Sequence, residues 1–240
     1  MLERSASITR QEYPSGQGYF SRYPFIRYVA PFAAFLVFLA FSPQVSLDPR
    51  LEAPLRVTLL GVICWLCWPR EIRLLPSHWA ASIGIGAGVF ALWIAPDLLI
   101  PGYRNFPPFS NSVVGHVHSS LQAGALHSAW ILSWRTLRAV IIVPLVEELF
   151  WRAWMMRWLI DHRFTNVPLG TYAPFAFWVT AILFASEHGP YWDVGLLTGI
   201  IYNLWMIRSK SLADCVLMHA VTNGLLCGYL IVTGNWQYWM

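Results

Sequence analysis

Charge is what this sequence has least of. Acidic and basic residues together fill 12% of its 240 positions, about half the share found in a soluble globular domain. A soluble core of this size needs a charged shell, and this chain does not supply one. A soluble enzyme, a nucleic-acid binder and a disordered scaffold are therefore excluded at the outset. Lysine is nearly missing: Lys210 stands alone beside 15 Arg. Cysteine is scarce as well, and its 4 copies make no disulfide framework. Cys64 and Cys67 form a C-x-x-C inside an apolar segment, but no second pair or nearby His completes a metal site, so they read as packed thiols.

What fills the chain instead is apolar. Hydrophobic residues make up 57% and Trp alone occurs 14 times. Residues 28–47, 74–96, 164–186 and 215–240 carry no charge at all. Each run approaches or exceeds the ~20 residues a helix needs to cross a hydrocarbon layer. The pattern predicts an all-α, polytopic membrane helix bundle with spans near 25–43, 54–69, 78–96, 136–159, 172–188, 192–207 and 212–232. An uncharged polar stretch between the third and fourth spans leaves room for a short interfacial helix near 121–132, or for an eighth crossing. His116 and His118, two apart in that stretch, read as a solvated loop. Residues 1–24 form a polar tail without the apolar core of a signal peptide, and 25–240 make one transmembrane domain.

Basic residues set the expected topology. With the amino terminus in the cytoplasm, ten fall inside, whereas Arg50, Arg56, Arg104, Arg135 and Arg138 fall outside. Small residues repeat at i, i+4 in Gly84/Gly88, Gly195/Gly199 and Gly224/Gly228, spacing that lets helices pack closely within one bundle.

Against this background, ionisable groups inside apolar segments stand out, since they are costly there and usually face a cavity or a partner. Glu147 and Glu148 are adjacent, about 100° apart on a helix, and cannot share one environment. Glu148 and Arg152 lie four apart on one face and read as an intramembrane ion pair. Glu147 is left without a local partner, free to accept or deliver a proton. His188, beside Glu187, closes the fifth span ahead of Gly189 and Pro190. His219 and Asn223 share a face of the last span, and Asn203 in the sixth reads as an interhelical hydrogen-bonding residue. Taken singly, each group has a structural explanation. Together, one carboxylate, two imidazoles and an amide are the inventory of a water-activating site: Glu147 as general base, the imidazoles orienting water or binding a metal, Asn223 donating to an oxyanion.

The ordered set Glu-Glu-x-x-x-Arg (Glu147, Glu148, Arg152), Phe-x-x-x-His (Phe184, His188) and His-x-x-x-Asn (His219, Asn223) resembles the CAAX-processing and bacteriocin-immunity (Abi, or CPBP) intramembrane protease family. Residues 135–234 carry the likeness; the first three spans match only as generic apolar helices. The resemblance implies an endopeptidase acting on a membrane-anchored or lipid-associated peptide. In that scheme Glu147 activates water with help from His188, His219 and Asn223 stabilise the oxyanion, and Glu148, Arg152 and Phe184 hold the geometry. A metal-free mechanism and a zinc ion held by Glu147, His188 and His219 both stay open, although no compact zinc spacing is present. The chain is also similar to CAAX-protease-related proteins found with exosortase systems, which would make its substrate unprenylated. The implied setting is a bacterial inner membrane, with lipids and a membrane-anchored peptide as partners and no nucleic acid. The alternatives are a non-proteolytic scaffold or immunity protein that keeps these motifs as a polar packing core, and, less favoured, an ion-coupled transporter.

Overall fold

A computed structural model describes residues 19–41, 47–120 and 128–239. Among these residues the fold is all-helical, apart from an isolated bridge between Asn111 and Gly115. Seven helices of 13 residues or more follow in order: α1 (Ile26–Phe41), α2 (Pro49–Cys67), α3 (Trp79–Leu99), α4 (Ala129–Trp158), α5 (Pro174–Ser186), α6 (Trp192–Ser209) and α7 (Leu212–Thr233). Of these, α3, α4 and α7 are long and apolar enough to cross a membrane, while α1 and α5 are apolar but shorter.

Polarity is distributed inside out. Glu148, Arg152, Ser82, Thr180, Asn203 and Asp214 are fully buried, whereas Val232 is 86% and Phe175 66% exposed. An apolar exterior around a polar interior is what a hydrocarbon solvent selects, because lipid cannot satisfy polar groups. The interior polar groups bond across helices. Asn203 of α6 donates to the Phe177 carbonyl of α5 at 2.9 Å, in the interhelical role expected of it.

Two helices begin earlier than the sequence predicts. The α2 helix starts at Pro49, five residues ahead of the expected 54, because Asp48 accepts the Arg50 N–H at 2.8 Å and Pro49 sits where no N–H is needed. Glu52 and Arg56 then pair at i, i+4, so their charges support the helix instead of ending it. The α4 helix starts at Ala129, seven residues ahead of the expected 136, behind a Ser128 cap. The described part of the stretch between α3 and α4 holds short 3₁₀ turns at Tyr103–Asn105 and Pro107–Phe109. The proposed interfacial helix lies partly within α4, and its remainder, 121–127, falls outside the described residues, as does most of the polar tail.

The α4 helix is also the hub. Its side chains Ile142, Val146 and Trp151 pack with Phe32 of α1 and with Val57 and Leu60 of α2, and α7 lies along its other side. It is not a uniform α-helix. At Arg138–Ile142 and Leu149–Met155 its turns widen to π geometry, with the Val143 N–H returning to the Arg138 carbonyl. Such widened turns often occur at functional sites.

Close approach is set by particular glycines. A Cβ on Gly86 would lie 2.5 Å from the Met218 carbonyl, so this residue lets α3 and α7 touch. Gly84 and Gly88 have nothing within 4 Å of a built Cβ, and their i, i+4 spacing therefore marks no contact. At Gly195 and Gly199 the expectation of close packing holds: α6 lies against the His188 ring and against Ala181 of α5. Lys210, in the left-handed region at φ 54°, and Ser211, which caps α7 by accepting the Asp214 N–H, make the tight turn between α6 and α7.

Candidate active site

Wide turns in α4, the end of α5 and the middle of α7 meet at one cavity of about 360 Å³. Glu147, His188, His219 and Asn223 all line it, together with Phe184 and Glu187. The four residues singled out for chemistry are thus brought together from three helices. Glu148 and Arg152 sit behind the wall, completely buried.

The two adjacent glutamates have opposite surroundings, as their helical offset requires. Glu148 Oε1 lies 3.2 Å from Arg152 Nη1 and 2.8 Å from His219 Nδ1. The Arg152 guanidinium is in turn held over Phe184 at 4.4 Å and Tyr202 at 5.2 Å from the ring centroids, contacts in which a cation gains from the faces of aromatic rings. Glu147 turns to the cavity, and no described side chain hydrogen-bonds its carboxylate.

Both imidazoles are tied back by the same nitrogen. His188 Nδ1 is 2.8 Å from the Phe184 carbonyl, and a carbonyl only accepts, so Nδ1 carries the proton and Nε2 holds the lone pair of the neutral ring. His219 Nδ1 is likewise committed to the Glu148 carboxylate. The Nε2 edge of each ring is left for the cavity. Trp93 of α3 packs against the His188 ring at 5.3 Å and fixes its own indole on Thr198 at 2.9 Å. Gly195 closes the other side of His188.

Asn223 donates from Nδ2 to the Ala139 carbonyl at 2.8 Å. That carbonyl belongs to the first π stretch of α4. One amide hydrogen is used in this bond, and the second remains. Glu187 accepts from the Trp151 indole at 3.1 Å at the rim.

The roof of the cavity comes from the carboxyl-terminal strap. Tyr238 and Trp239 line it, anchored by the Tyr238 hydroxyl on Asp97 at 2.7 Å and by Ser120 on the Trp239 carbonyl. Burial and the neighbouring Asp97 carboxylate push the Tyr238 phenol above its ordinary range, so it stays a donor. Asp97 also meets Arg104, which spans to Asp193 at 2.5 Å and lies over the Tyr191 ring. Trp93, Tyr238 and this Asp97–Arg104–Asp193 clamp were not anticipated; they are ordinary residue types in a Trp- and Tyr-rich chain.

The zinc alternative does not fit this geometry. Among the described residues, no group of three or more His, Cys, Asp or Glu side chains is gathered closely enough to hold a metal ion. Glu147, His188 and His219 share a cavity without forming such a set.

A family model described as Type II CAAX prenyl endopeptidase Rce1-like matches residues 128–225. That match covers less than half of the chain. The matched segment includes Glu147, Glu148, Arg152, Phe184, His188, His219 and Asn223, and it begins where α4 begins. It leaves out α1 to α3, although Trp93 of α3 packs against His188. Neither a curated relative nor a solved structure matches the chain.

Proposed function

We propose that the chain is an intramembrane endopeptidase that hydrolyses a peptide bond of a membrane-anchored or lipid-associated substrate, using water activated by Glu147. The observation that carries this reading is the meeting of Glu147, His188, His219 and Asn223 at one cavity within an Rce1-like segment. In the proposed reaction, Glu147 takes a proton from a water steered by Nε2 of His188, and the water oxygen bonds to the carbonyl carbon. Negative charge collects on the former carbonyl oxygen. It is met by the second amide hydrogen of Asn223 and by His219, which in its doubly protonated form donates from Nε2 while Nδ1 stays on Glu148. Collapse of this intermediate breaks the C–N bond, and Glu147 returns its proton to the leaving amine. Glu148 and Arg152 act as positioning residues through His219. The positive-inside pattern supports an amino terminus in the cytoplasm, with the cavity toward the opposite face.

The test is cleavage of membrane-anchored peptides, prenylated and unprenylated, by purified protein in nanodiscs. Glu147→Gln should lower the rate by about 10²-fold or more while leaving the melting temperature near wild type, since no described residue hydrogen-bonds or ion-pairs with the side chain. Full activity in a folded Glu147→Gln protein would overturn the assignment and favour a polar packing core without catalysis.

A further inference from the structure

A second cavity, of about 740 Å³, lies between α2 and α4 and shares no lining residue with the first. Ile142 and Leu145 of α4 and Gly61, Cys64 and Trp65 of α2 form its walls, and Arg27 and Arg70 stand at the end where α2 stops. Arg27, in the first turn of α1, is held at this level by a bond from its Nη1 to the Trp68 carbonyl at 3.4 Å, and Arg70 follows two residues later. Neither guanidinium forms an ion pair with a described residue. Glu71, the acid beside Arg70 in the chain, accepts the Tyr28 hydroxyl at 2.8 Å and does not line the cavity. Residues 19–27 and 68–75 together hold Arg22, Arg27, Arg70 and Arg73 against Glu71 alone. The chain's first 18 residues bring no net countercharge, since Glu3 and Glu12 are matched by Arg4 and Arg10.

Away from the arginines the cavity is an apolar slot, and Gly61 keeps it open. A Cβ built there meets only Ile142 Cδ1, at 3.9 Å. From Gly61 to Cys67, the last residue of α2, is about 9 Å along the helix. Trp65, 77% exposed, and Trp68 stand near the cationic end, where indoles mark the boundary between headgroups and hydrocarbon. The positive-inside pattern assigns this end of the bundle to the cytoplasm, whose leaflet carries the anionic lipids.

We propose that this cavity binds one anionic phospholipid, with its phosphate between Arg27 and Arg70 and an acyl chain running along α2 to Gly61. A guanidinium meets a phosphate through two parallel hydrogen bonds, and basic pockets between membrane helices select anionic headgroups. A zwitterionic lipid is the poorer partner, because its own ammonium offsets the phosphate charge. The walls at Cys64, Ile142 and Leu145 receive the chain without exposing it to water. A lipid seated there ties the start of α1 and the end of α2 to α4, on a different face of α4 from Glu147. Its binding does not depend on what the other cavity does.

Native mass spectrometry of the full chain in a nonionic detergent, titrated with dioleoyl phosphatidylglycerol or dioleoyl phosphatidylcholine, reads this site directly. The first phosphatidylglycerol should bind about tenfold more tightly than the first phosphatidylcholine. Arg70 is exposed, so Arg70→Gln should fold as wild type does and lower that preference about threefold. The double variant Arg27→Gln/Arg70→Gln should abolish the preference, and Arg27→Lys/Arg70→Lys should keep part of it. Gly61→Leu fills the slot while leaving both arginines in place; it should weaken both lipids about tenfold, with a melting temperature near wild type. Glycerophosphoglycerol, the headgroup without chains, should fail to displace the lipid. Equal binding of the two lipids, a preference untouched by Arg70→Gln or surviving the loss of both guanidiniums, or unchanged binding in Gly61→Leu overturns the proposal. Displacement by the bare headgroup overturns it too, since the site would then take a free phosphate ester and not a lipid.

Discussion

His219 of α7 and Glu148 of α4 are joined by a hydrogen bond of 2.8 Å, and the same carboxylate oxygen is paired with Arg152. One oxygen thus couples the ring that faces the cavity to an ion pair with no exposure to solvent. A buried pair of this kind is held in place as a unit, and removing one partner leaves the other charge uncompensated.

Glu148→Ala should therefore be damaging in two separable ways. It strands the Arg152 guanidinium, at a cost of about 3–5 kcal/mol, and it frees the His219 ring to rotate. The variant should melt far below wild type in detergent and lose cleavage. Glu148→Gln keeps an acceptor for His219 Nδ1, and should recover more stability than activity. Equal recovery of both would show that Glu148 serves folding only.

The candidate site was legible in the sequence further than the helices that carry it. Glu147, Glu148 and Arg152 were conspicuous because so few charges interrupt the apolar runs, and the spacing of His219 to Asn223 places both on one face. Helix starts were misjudged where charge was taken as an end signal: Arg50, Glu52 and Arg56 lie inside α2, made compatible by the Asp48 cap and an i, i+4 pair. The π stretches of α4 left no local signature, because a return bond from Val143 to Arg138 is decided by packing against α1, α2 and α7. Trp93 was invisible as well, one of 14 Trp with nothing to mark it until α3 packs beside His188.

Glycine spacing misled in a way that makes a graded test. Gly86→Ala drives a Cβ to 2.5 Å from the Met218 carbonyl, a backbone atom that cannot give way, and should destabilise by about 1–3 kcal/mol. Gly88→Ala meets nothing within 4 Å and should be neutral or stabilising by up to about 1 kcal/mol through helix propensity. Gly195→Ala meets the His188 ring at 3.1–3.2 Å, a side chain able to move. Its cost should appear in cleavage, about tenfold or more, with little change in melting temperature. Thermal melting and cleavage rates of the three variants together check this order, and a Gly88→Ala variant less stable than Gly86→Ala would refute it.

Asp214 predicts the converse, a loss of stability without a loss of chemistry. Its carboxylate accepts from the backbone N–H of His78 at 2.8 Å and of Ser77 at 3.2 Å, and from Ser82 Oγ at 3.3 Å. An acid at the start of α7 thereby satisfies the amino-terminal end of α3, where His78 itself provides no side-chain cap. Asp214 does not line the cavity. Asp214→Ala leaves the buried Ser82 hydroxyl and the partly buried N–H groups of Ser77 and His78 without this acceptor and should cost about 1–2 kcal/mol, lowering the melting temperature. The protein that remains folded should cleave with kcat close to wild type, since α3 still packs on α7 through Gly86. Asp214→Asn keeps one acceptor oxygen and should fall between the two in stability. A kcat that falls in step with stability across this pair would mean that the α3–α7 contact also positions His219, and that the cavity is less insulated from the far end of the bundle than its hydrogen bonds indicate.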